Sequence, residues 1–571
     1  MLVGCPEELL PQIRIIKDLS HFIKLDGGFP GEVYEALSYL ASDIPIKEVL
    51  QLVAPDITED SVVDTEDFKT ALKRPQTQQS FWVAEDEHQL AKMLHAPLEQ
   101  WRVFLHPTQR KLAQKSANGS MRVLGGAGTG KTVVAMHRAR YLVEQVFTEP
   151  SDRVLFTTFT TNLAADIKDA LKTLIKPAFR DQVEVVHLNG WVRPFLKQQD
   201  HYSYQIDFFS SSKKLKALWD EAISGCTQFS PTFLRDEWEQ VIQFHGILDI
   251  KSYYKVRRTG RGSKLSKAKR YEVWQYFESY RTLLASHGLK ENEDAIRDAR
   301  LMLEAKPHLA QYRSIIVDEA QDLSPESYKL IRALTPKGPN DILVVGDGHQ
   351  RIYRYKVSLK SCGINIVGRS ARLRLNYRTT EQIRRYAVRV LENISVDDLD
   401  NELDHLKGYH SLLAGQDPTV NQFHTTQEEV AYICGMLAQN DIDPARCCVV
   451  ARTQHMIDQF ISELDAQGQK TIQIKRSIPT ASNKLRVATM HRVKGLEFDH
   501  VFLVGLNQGV LPLPQALKEA DPSDESSVER IETIERCLLY VAITRAKKTV
   551  SLTSHGLMSK LVQDIDSSSQ N

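Results

Sequence analysis

The segment GGAGTGKT at residues 125–132 has the residue types and the spacing of a phosphate-binding loop. Its glycines let backbone N–H groups approach phosphate oxygens, and a following helix adds a favourable field for an anion. In the pattern G-x-x-x-x-G-K-[ST], Lys131 would neutralise the β- and γ-phosphates of a nucleotide and Thr132 would bind Mg²⁺. The candidate nucleotide-binding residues are Gly125, Gly126, Ala127, Gly128, Thr129, Gly130, Lys131, Thr132 and Val133.

The alternative to a phosphate loop is a glycine-rich turn with a chance lysine. The motif requires a strand before it and a helix after it. The chain supplies MRVL at 121–124 and VVAMHRARYL at 133–142. This context favours phosphate binding.

A second segment, SIIVDEAQD at residues 314–322, supplies acidic partners for such a loop. Its apolar strand ends in Asp318, which suits the Mg²⁺ shell, and Glu319, which suits polarising an attacking water. Two carboxylates after a strand are common in proteins, so the segment is informative only together with the loop. The pair predicts ATP and Mg²⁺ as ligands and hydrolysis as the reaction.

Apolar runs that alternate with helical stretches predict the elements that position these residues. The predicted strands are 121–126, 153–160, 183–188, 314–320, 341–347, 447–453, 485–491, 500–506 and 549–554. Continuous apolar runs between helices are typical of parallel sheets that are buried on both faces. They fall into two groups, one before about residue 370 and one after about residue 440, which predicts two α/β domains.

A long helical insertion is predicted at residues 196–310. Its tryptophans Trp219, Trp238 and Trp274 are expected to be core anchors rather than ligand contacts. Within it, residues 251–270 carry nine basic and no acidic side chains. Such a stretch could clamp nucleic-acid phosphates without reading sequence, and its candidate contacts are Arg257, Arg258 and Arg261. A solvated loop is the alternative, and neighbouring tyrosines favour nucleic acid.

Length and composition set broad bounds on the protein. The chain has 571 residues, which is too many for one core, and a net charge of +1, which gives no whole-chain signal for a polyanion. The seven cysteines are scattered without a CxxC pair, so we expect buried structural thiols and a reducing cytoplasm. No run of about 18 apolar residues and no signal-peptide pattern appears, so we expect a cytoplasmic protein without membrane contact.

A series of motifs between residues 101 and 555 resembles the UvrD/Rep/PcrA family of superfamily-one helicases, in the family's order. The segments are HPTQRKL (106–112), TFTTNLAADI (158–167), VGDGHQRIY (345–353), LNYRTTEQI (375–383), ATMHRVKGLEFDHVFLVGL (488–506) and LLYVAITRAKK (538–548). Any one of them could mislead, but chance does not produce the ordered series. The resemblance implies a motor that couples ATP hydrolysis to 3′-to-5′ movement along single-stranded DNA.

The resemblance also implies roles at the nucleotide. Gln109 would read adenine, Tyr377 would stack on it, and Glu497 would belong to the nucleotide side of its motif. Arg378 and Arg545 would contact the γ-phosphate. If they do, ATP binds in a cleft between the two α/β domains, and this cleft closes on binding and opens after hydrolysis. The expected catalytic residues are Lys131, Asp318, Glu319, Gln350, Arg378 and Arg545.

On the nucleic-acid side the chain both follows and departs from the family. The implied contacts are Thr158, Phe159, Tyr353, Thr489 and His491. After the coupling motif the family usually has an aromatic residue and then Arg-Gly-Ala, whereas this chain has Tyr355 followed by Lys356. Tyr355 still offers a stacking face for a base, with a core or interface aromatic as the alternative.

The predicted fold class is α/β, with two RecA-like P-loop domains that contain parallel sheets, a helical insertion and a helical N-terminal region. The first RecA-like domain would take 97–195 and 311–370, the 1B-like insertion 196–310, and the second domain 371–558. Residues 1–96 have no assigned role, and 559–571 are expected to be a disordered tail. Only about a hundred residues separate 376–378 from 485–491, so the large 2B insertion of the family is expected to be absent or reduced.

The resulting functional prediction is an ATP-dependent 3′-to-5′ single-stranded DNA translocase or helicase in DNA repair, recombination or replication. Its partners would be single-stranded DNA or a 3′-tailed duplex, with a possible protein partner for residues 1–96. Two alternatives stay open. One is an ATP-switched interaction or regulatory protein without unwinding activity, and the other is an RNA-directed motor.

Overall fold

The computed structural model describes residues 11, 105, 107–199, 202–207, 212–258, 265–351, 357–392, 394, 396–397, 403–404, 409–439, 442–474, 483–518 and 525–567. The chain divides into two compact units, residues 1–112 and 113–571. The predicted N-terminal helical region, apart from Pro11, lies outside the described residues, and so do the candidate contacts Tyr353, Tyr355 and Arg261.

Strands and helices alternate from the first motif to the insertion. In chain order they are α1 (Pro107–Gln114), β1 (Met121–Gly125), α2 (Lys131–Tyr141), β2 (Val154–Thr158), α3 (Thr161–Leu174), β3 (Val183–His187) and α4 (Leu188–Lys197). A π-helical turn, Leu142–Val146, continues α2. Helix α3 begins after Thr160 because its hydroxyl oxygen accepts a hydrogen bond from the N–H of Leu163 at 3.3 Å.

The predicted insertion is largely helical and has its own core. Its elements are β4 (Gln205–Asp207), α5 (Lys213–Ala222), α6 (Pro231–Glu237), α7 (Ile250–Lys255), α8 (Lys267–Ser286), β5 (Leu289–Glu291) and α9 (Asn292–Ala305), with a π-helical turn at Trp238–Gln243. Trp219, Trp238 and Trp274 are all buried in this core, which confirms the expectation that they are core anchors.

The chain then completes the first sheet with β6 (Ser314–Val317), α10 (Pro325–Ala333), β7 (Ile342–Gly346) and β8 (Ser370–Leu373). The strand order is β3-β2-β6-β7-β1-β8, and all neighbours are parallel. Strands β1, β2, β6 and β7 are buried throughout, which explains their continuous apolar sequences. Their carboxyl ends share one edge, where sheets of this kind bind ligands.

A second parallel sheet follows. The remaining elements are β9 (Leu375–Thr380), α11 (Glu381–Arg389), β10 (Val396–Asp397), β11 (Leu403–Asp404), β12 (His410–Leu413), β13 (Thr419–Phe423), α12 (Thr426–Gln439), β14 (Cys447–Ala451), α13 (Gln454–Ala466), β15 (Thr471–Gln473), β16 (Leu485–Thr489), β17 (Phe498–Leu503), α14 (Pro514–Lys518), α15 (Glu525–Ile543), β18 (Ala546–His555) and α16 (Lys560–Ser567). The sheet has the order β13-β18-β17-β14-β16-β15. The two parallel sheets, the first of them interrupted by the helical insertion, confirm the predicted α/β class with two RecA-like domains.

The end of the described chain differs from the prediction. Residues 559–571 were expected to form a disordered tail, but 560–567 form helix α16. Leu561, Val562 and Ile565 of this helix are buried in the core of the second sheet. The prediction was wrong because it relied on the polar composition of the tail. The three apolar side chains lie on one face of the helix, and that face packs against the core.

Short 3-10 turns lie at Pro177–Gln182, Pro307–Leu309, Ala320–Asp322, Gly348–Gln350, Lys360–Cys362 and Pro444–Arg446. The six described cysteines form no disulfide bonds with one another. All seven cysteines of the chain were expected to be buried, but Cys226 and Cys434 are partly exposed. No helix among the described residues combines the length and the apolar character that crossing a membrane requires.

The insertion also touches the second sheet's helix α15 through Arg530. Its guanidinium donates to Asp236 Oδ2 at 3.1 Å and to Gln240 Oε1 at 3.0 Å. We expect Arg530→Ala to lower the free energy of unfolding by about 1–2 kcal/mol, because the buried carboxylate of Asp236 loses an ion-pair partner. A double-mutant cycle with Asp236→Asn in urea measures the coupling.

Removing the exposed cation of Arg446 is the control and should change stability by less than about 1 kcal/mol, because its partner Asp443 is exposed and its partner Asp499 keeps Lys548. Strictly additive effects of the Arg530 and Asp236 substitutions would contradict an energetic link between insertion and second sheet.

Candidate nucleotide and nucleic-acid site

The phosphate-loop motif forms the connection between β1 and α2 at the carboxyl edge of the first sheet. Gly128 has a φ of 76°, and a Cβ there would lie 2.3 Å from Asn376 Oδ1 and 2.9 Å from Arg378 Cβ. Its carbonyl accepts a hydrogen bond from the N–H of Tyr377 at 3.0 Å. Only glycine fits at this position, and the NYR motif therefore lies directly against the loop.

Lys131 is the buried cation of the loop. Its Nζ donates to the carbonyl of Gly126 at 2.8 Å and lies 3.8 Å from Asp347 Oδ2. Burial lowers the pKa of this amino group, whereas the nearby carboxylates of Asp347, Glu319 and Asp318 favour its charged form. A bound phosphate would replace the Gly126 carbonyl as the hydrogen-bond acceptor of Lys131 Nζ.

Thr132 and Asp318 meet as the two motifs predicted. The hydroxyl of Thr132 donates to Asp318 Oδ2 at 2.7 Å. Burial, followed by repulsion from Glu319, raises the pKa of Asp318 to about 7. Hydroxyl and carboxylate oxygens are hard donors, and Mg²⁺ usually takes only one or two protein ligands beside phosphate and water oxygens. The pair therefore fits a magnesium ion, whose charge would favour ionised Asp318.

Glu319 stands in an unusual backbone conformation at the same edge. Its φ of 52° lies in the left-handed region, which costs a non-glycine residue about 1–3 kcal/mol and is found mainly at functional sites. Gln321 Nε2 donates to Glu319 Oε2 at 2.5 Å, and Gln321 Oε1 accepts from the N–H of Asp347 at 3.0 Å. Gln321 thus orients the carboxylate that was predicted to polarise water.

A relay of side chains runs from the phosphate loop to the second sheet. Asp347 Oδ2, which faces Lys131, accepts a hydrogen bond from Gln350 Nε2 at 2.7 Å. Gln350 Oε1 in turn accepts from Arg545 Nη2 at 3.1 Å. Burial, followed by repulsion from Arg378, lowers the pKa of Arg545 to about 10. The relay therefore connects Lys131 to Arg545, and Arg378 lies close enough to repel the charges of both.

Arg378 is held by a carboxylate of the second sheet. Its Nη2 lies 2.5 Å from Glu497 Oε1, and Lys547 Nζ lies 3.4 Å from the other oxygen of Glu497. Glu497 was predicted to belong to the nucleotide side, and the structure places it as the group that aims Arg378. Of the predicted adenine contacts, Tyr377 is partly exposed and Gln109 lies on α1.

Four groups at the site were missed by sequence reasoning. Asp347 and Lys494 were quoted within motifs without a role, as were Asn376, which packs on Gly128, and Tyr540, which is hydrogen-bonded to the N–H of Ala127. Asp347 directly follows strand β7, so the signal that pointed to Asp318 could have found it. The other three become visible only when the sheets are brought together.

Comparison with known proteins agrees with this geometry. The UvrD/REP helicase N-terminal domain matches residues 105–361, and the UvrD-like helicase C-terminal domain matches residues 469–556. The chain belongs to the UvrD/REP helicase family. The two matches contain the phosphate loop and Arg545, so the relay connects the two matched domains.

Three relatives illustrate the similarity. A probable DNA helicase of Mycoplasma pneumoniae is 25% identical over 78% of this chain and 82% of its own length. DNA helicase IV of Escherichia coli is 24% identical over 78% of this chain and 67% of its own length. The ATP-dependent DNA helicase PcrA of Staphylococcus aureus is 25% identical over 50% of this chain and 40% of its own length.

The predicted nucleic-acid contacts of the first sheet line a cavity. Thr158, which ends β2, and Phe159 border a space of about 210 Å³ together with Asp322. Asp322 is also an ion-pair partner of Lys494, whose Nζ donates to the carbonyl of Gln350 at 2.8 Å. Lys494 therefore links this cavity to the relay at the nucleotide site.

The other predicted contacts lie on the surface or in the insertion core. In the second sheet, Thr489 ends β16 and His491 is exposed in the following turn. In the basic stretch, Arg257 is exposed, but the side chain of Arg258 is 5% exposed and its Nε lies 2.6 Å from the buried carboxylate of Glu237. This corrects the interpretation of Arg258 as a phosphate contact, because its charge is already matched inside the insertion.

Proposed function

We propose that this chain is an ATP-dependent translocase or helicase that moves 3′-to-5′ along single-stranded DNA. The observation that carries the proposal is the relay from Lys131 through Asp347 and Gln350 to Arg545, because it joins a phosphate loop to a guanidinium of the second sheet. Relatives named as DNA helicases support DNA as the substrate, either single-stranded or as a 3′-tailed duplex.

In the proposed cycle, a triphosphate bridges the loop and the two arginines. Lys131 and Thr132 bind its phosphates, Mg²⁺ held by Thr132 and Asp318 supplies positive charge, and Glu319 orients the attacking water. Loss of the γ-phosphate removes the bridge, so the two sheets separate and reclose once per ATP.

Movement requires that the nucleic-acid side sense this closure. Lys494 of the second sheet contacts both Asp322 and the backbone of Gln350. Displacement of the second sheet would therefore change both contacts. Asp322 lines the cavity with Thr158, the predicted DNA contact. Separation of the sheets would therefore change the cavity and the relay together.

A stopped-flow assay on single strands of increasing length tests this function. With a fluorophore at the 5′ end, we expect an arrival lag that grows linearly with length in the presence of ATP and Mg²⁺. The controls are a 3′-end label, which should show no such lag, and omission of ATP. A length-dependent lag at the 3′ label would contradict the polarity, and none at either label would contradict translocation.

Two further outcomes separate the alternatives. Stronger stimulation of ATP turnover by single-stranded RNA than by DNA would favour an RNA-directed motor. ATP turnover that is stimulated by neither single-stranded DNA nor single-stranded RNA would favour an ATP-switched interaction protein that binds its partner through residues 1–96.

A further inference from the structure

A second cavity lies away from the nucleotide site, where helix α4 approaches strand β4. Its volume is about 300 Å³, and its lining includes Arg193 and Lys197 from α4 together with Tyr202, Tyr204 and Gln205. None of these residues belongs to a motif that pointed to the family. The cavity therefore needs an explanation of its own.

The two cations of the cavity are not matched within the structure. Arg193 and Lys197 are both exposed and, being four residues apart, lie on one face of α4, where like charges repel. Among the residues that the structure describes, neither lies within ion-pair distance of a carboxylate. The nearby carboxylate of Asp298 is occupied by Lys290 Nζ at 2.8 Å and the hydroxyl of Tyr202 at 3.0 Å.

Aromatic rings stand beside these charges. Tyr202 and Tyr204 meet edge to face with ring centroids 5.6 Å apart, and Tyr204 keeps 37% of its surface exposed. Lys290 Nζ lies 4.8 Å from the centroid of the Tyr204 ring and brings a third positive charge. Cations beside an exposed ring are the combination that binds single-stranded nucleic acid, with phosphates on the charges and a base on the ring.

The cavity lies within reach of the predicted DNA edge. His187, the residue before α4, pairs with Thr158 across strands β3 and β2. Arg193 and Lys197 lie five and nine residues after Leu188, which is about 8 and 14 Å along the helix at 1.5 Å per residue. At about 3.4 Å per stacked nucleotide, this corresponds to roughly two to four nucleotides.

We propose that this cavity is an additional contact for single-stranded nucleic acid, which extends the strand bound at Thr158 and Phe159. Arg193 and Lys197 bind backbone phosphates, and Tyr204 stacks on a base. The inference rests on the proposed function, since it assumes that a strand crosses the carboxyl edge of the first sheet.

Equilibrium binding of fluorescein-labelled oligothymidylates to the full chain tests the proposal. We expect Arg193→Ala/Lys197→Ala to reduce the slope of log K against log salt by about 1.4, at about 0.7 per lost phosphate contact. Oligomers of about 16 nucleotides should lose about tenfold in affinity or more, whereas short ones that cannot reach the cavity should be unaffected. Tyr204→Leu should weaken binding of long oligomers without changing the salt slope.

The matched control is Lys470→Ala/Lys560→Ala, which removes two exposed lysines of the second half. Thermal unfolding and ATP turnover without DNA should be unchanged in all variants, which separates the effect from misfolding. A double variant with wild-type slope and wild-type length dependence would overturn the proposal. If the wild type binds no oligomer, the proposed function itself fails.

Discussion

Arg378→Ala is expected to lower the rate of DNA-stimulated ATP hydrolysis by about 10³-fold or more while leaving the fold intact. A guanidinium that meets the transferred phosphoryl group contributes about 10³–10⁵ in rate, which corresponds to about 4–7 kcal/mol of transition-state stabilisation. Arg378 is suited to this role because its backbone lies on the phosphate loop and its side chain is aimed by Glu497.

Stability should change little in this variant. The side chain of Arg378 is 26% exposed, and Glu497 keeps Lys547 as a partner when Arg378 is removed. Ion pairs of this exposure contribute about 0–1 kcal/mol. The measurement is kcat with saturating single-stranded DNA, accompanied by thermal unfolding and by binding of a fluorescent ATP analogue.

Arg385→Ala is the matched control, because Arg385 is 68% exposed on the next helix and pairs with Glu381 at 2.8 Å. It removes an arginine from the same region without approaching the loop and should leave kcat within about twofold of wild type. Wild-type turnover in Arg378→Ala would contradict a role for Arg378 in the chemistry and leave Arg545 as the arginine to test next.

How far the sequence predicts this structure depends on how local the signal is. The nine predicted strands all lie in the two parallel sheets, and most of them were recognisable because a strand buried on both faces must be apolar along its length. Strands β8, β13 and β15 were missed. Their residues SARL, TVNQF and TIQ are polar or partly exposed, so they carry no continuous run.

The site shows the same limit. The pairing of Thr132 with Asp318 was predicted because each belongs to a recognisable motif whose function requires the other. The contact between Gln350 and Arg545 spans 195 residues and was not predicted; only the resemblance implied that both residues act at the nucleotide. Lys494 could not be assigned, because a lysine in a motif gives no indication of which carboxylate it will meet until the sheets are assembled.

Arg258 illustrates a misleading local signal. A run of basic residues suggested a phosphate clamp, but the acidic partner of Arg258 is Glu237, which lies 21 residues away at the end of helix α6. A run of charged residues therefore does not show which of their side chains are exposed or paired, because packing in the folded chain decides both. The unmatched cations Arg193 and Lys197, by contrast, occur in no conspicuous run.

Glu319→Gln is expected to retain ATP while lowering its hydrolysis by about 10²–10⁴-fold, the usual contribution of a positioned general base. The amide has the size of the carboxylate and can still accept the hydrogen bond from Gln321, so the left-handed backbone at this position should persist. It lacks the negative charge that orients and polarises water. Single-turnover hydrolysis and binding of a fluorescent ATP analogue measure the two effects separately.

Lys131→Ala provides the contrast, because it removes the cation that binds the phosphates and should lose ATP affinity as well as turnover. Glu304→Gln, an exposed partner of Arg300 in the insertion, controls for the loss of one carboxylate. The two site variants therefore separate binding from chemistry. A Glu319→Gln protein that hydrolyses ATP within about tenfold of wild type would assign the base to another carboxylate, and Asp347, which already lies 3.8 Å from Lys131, would be the next to test.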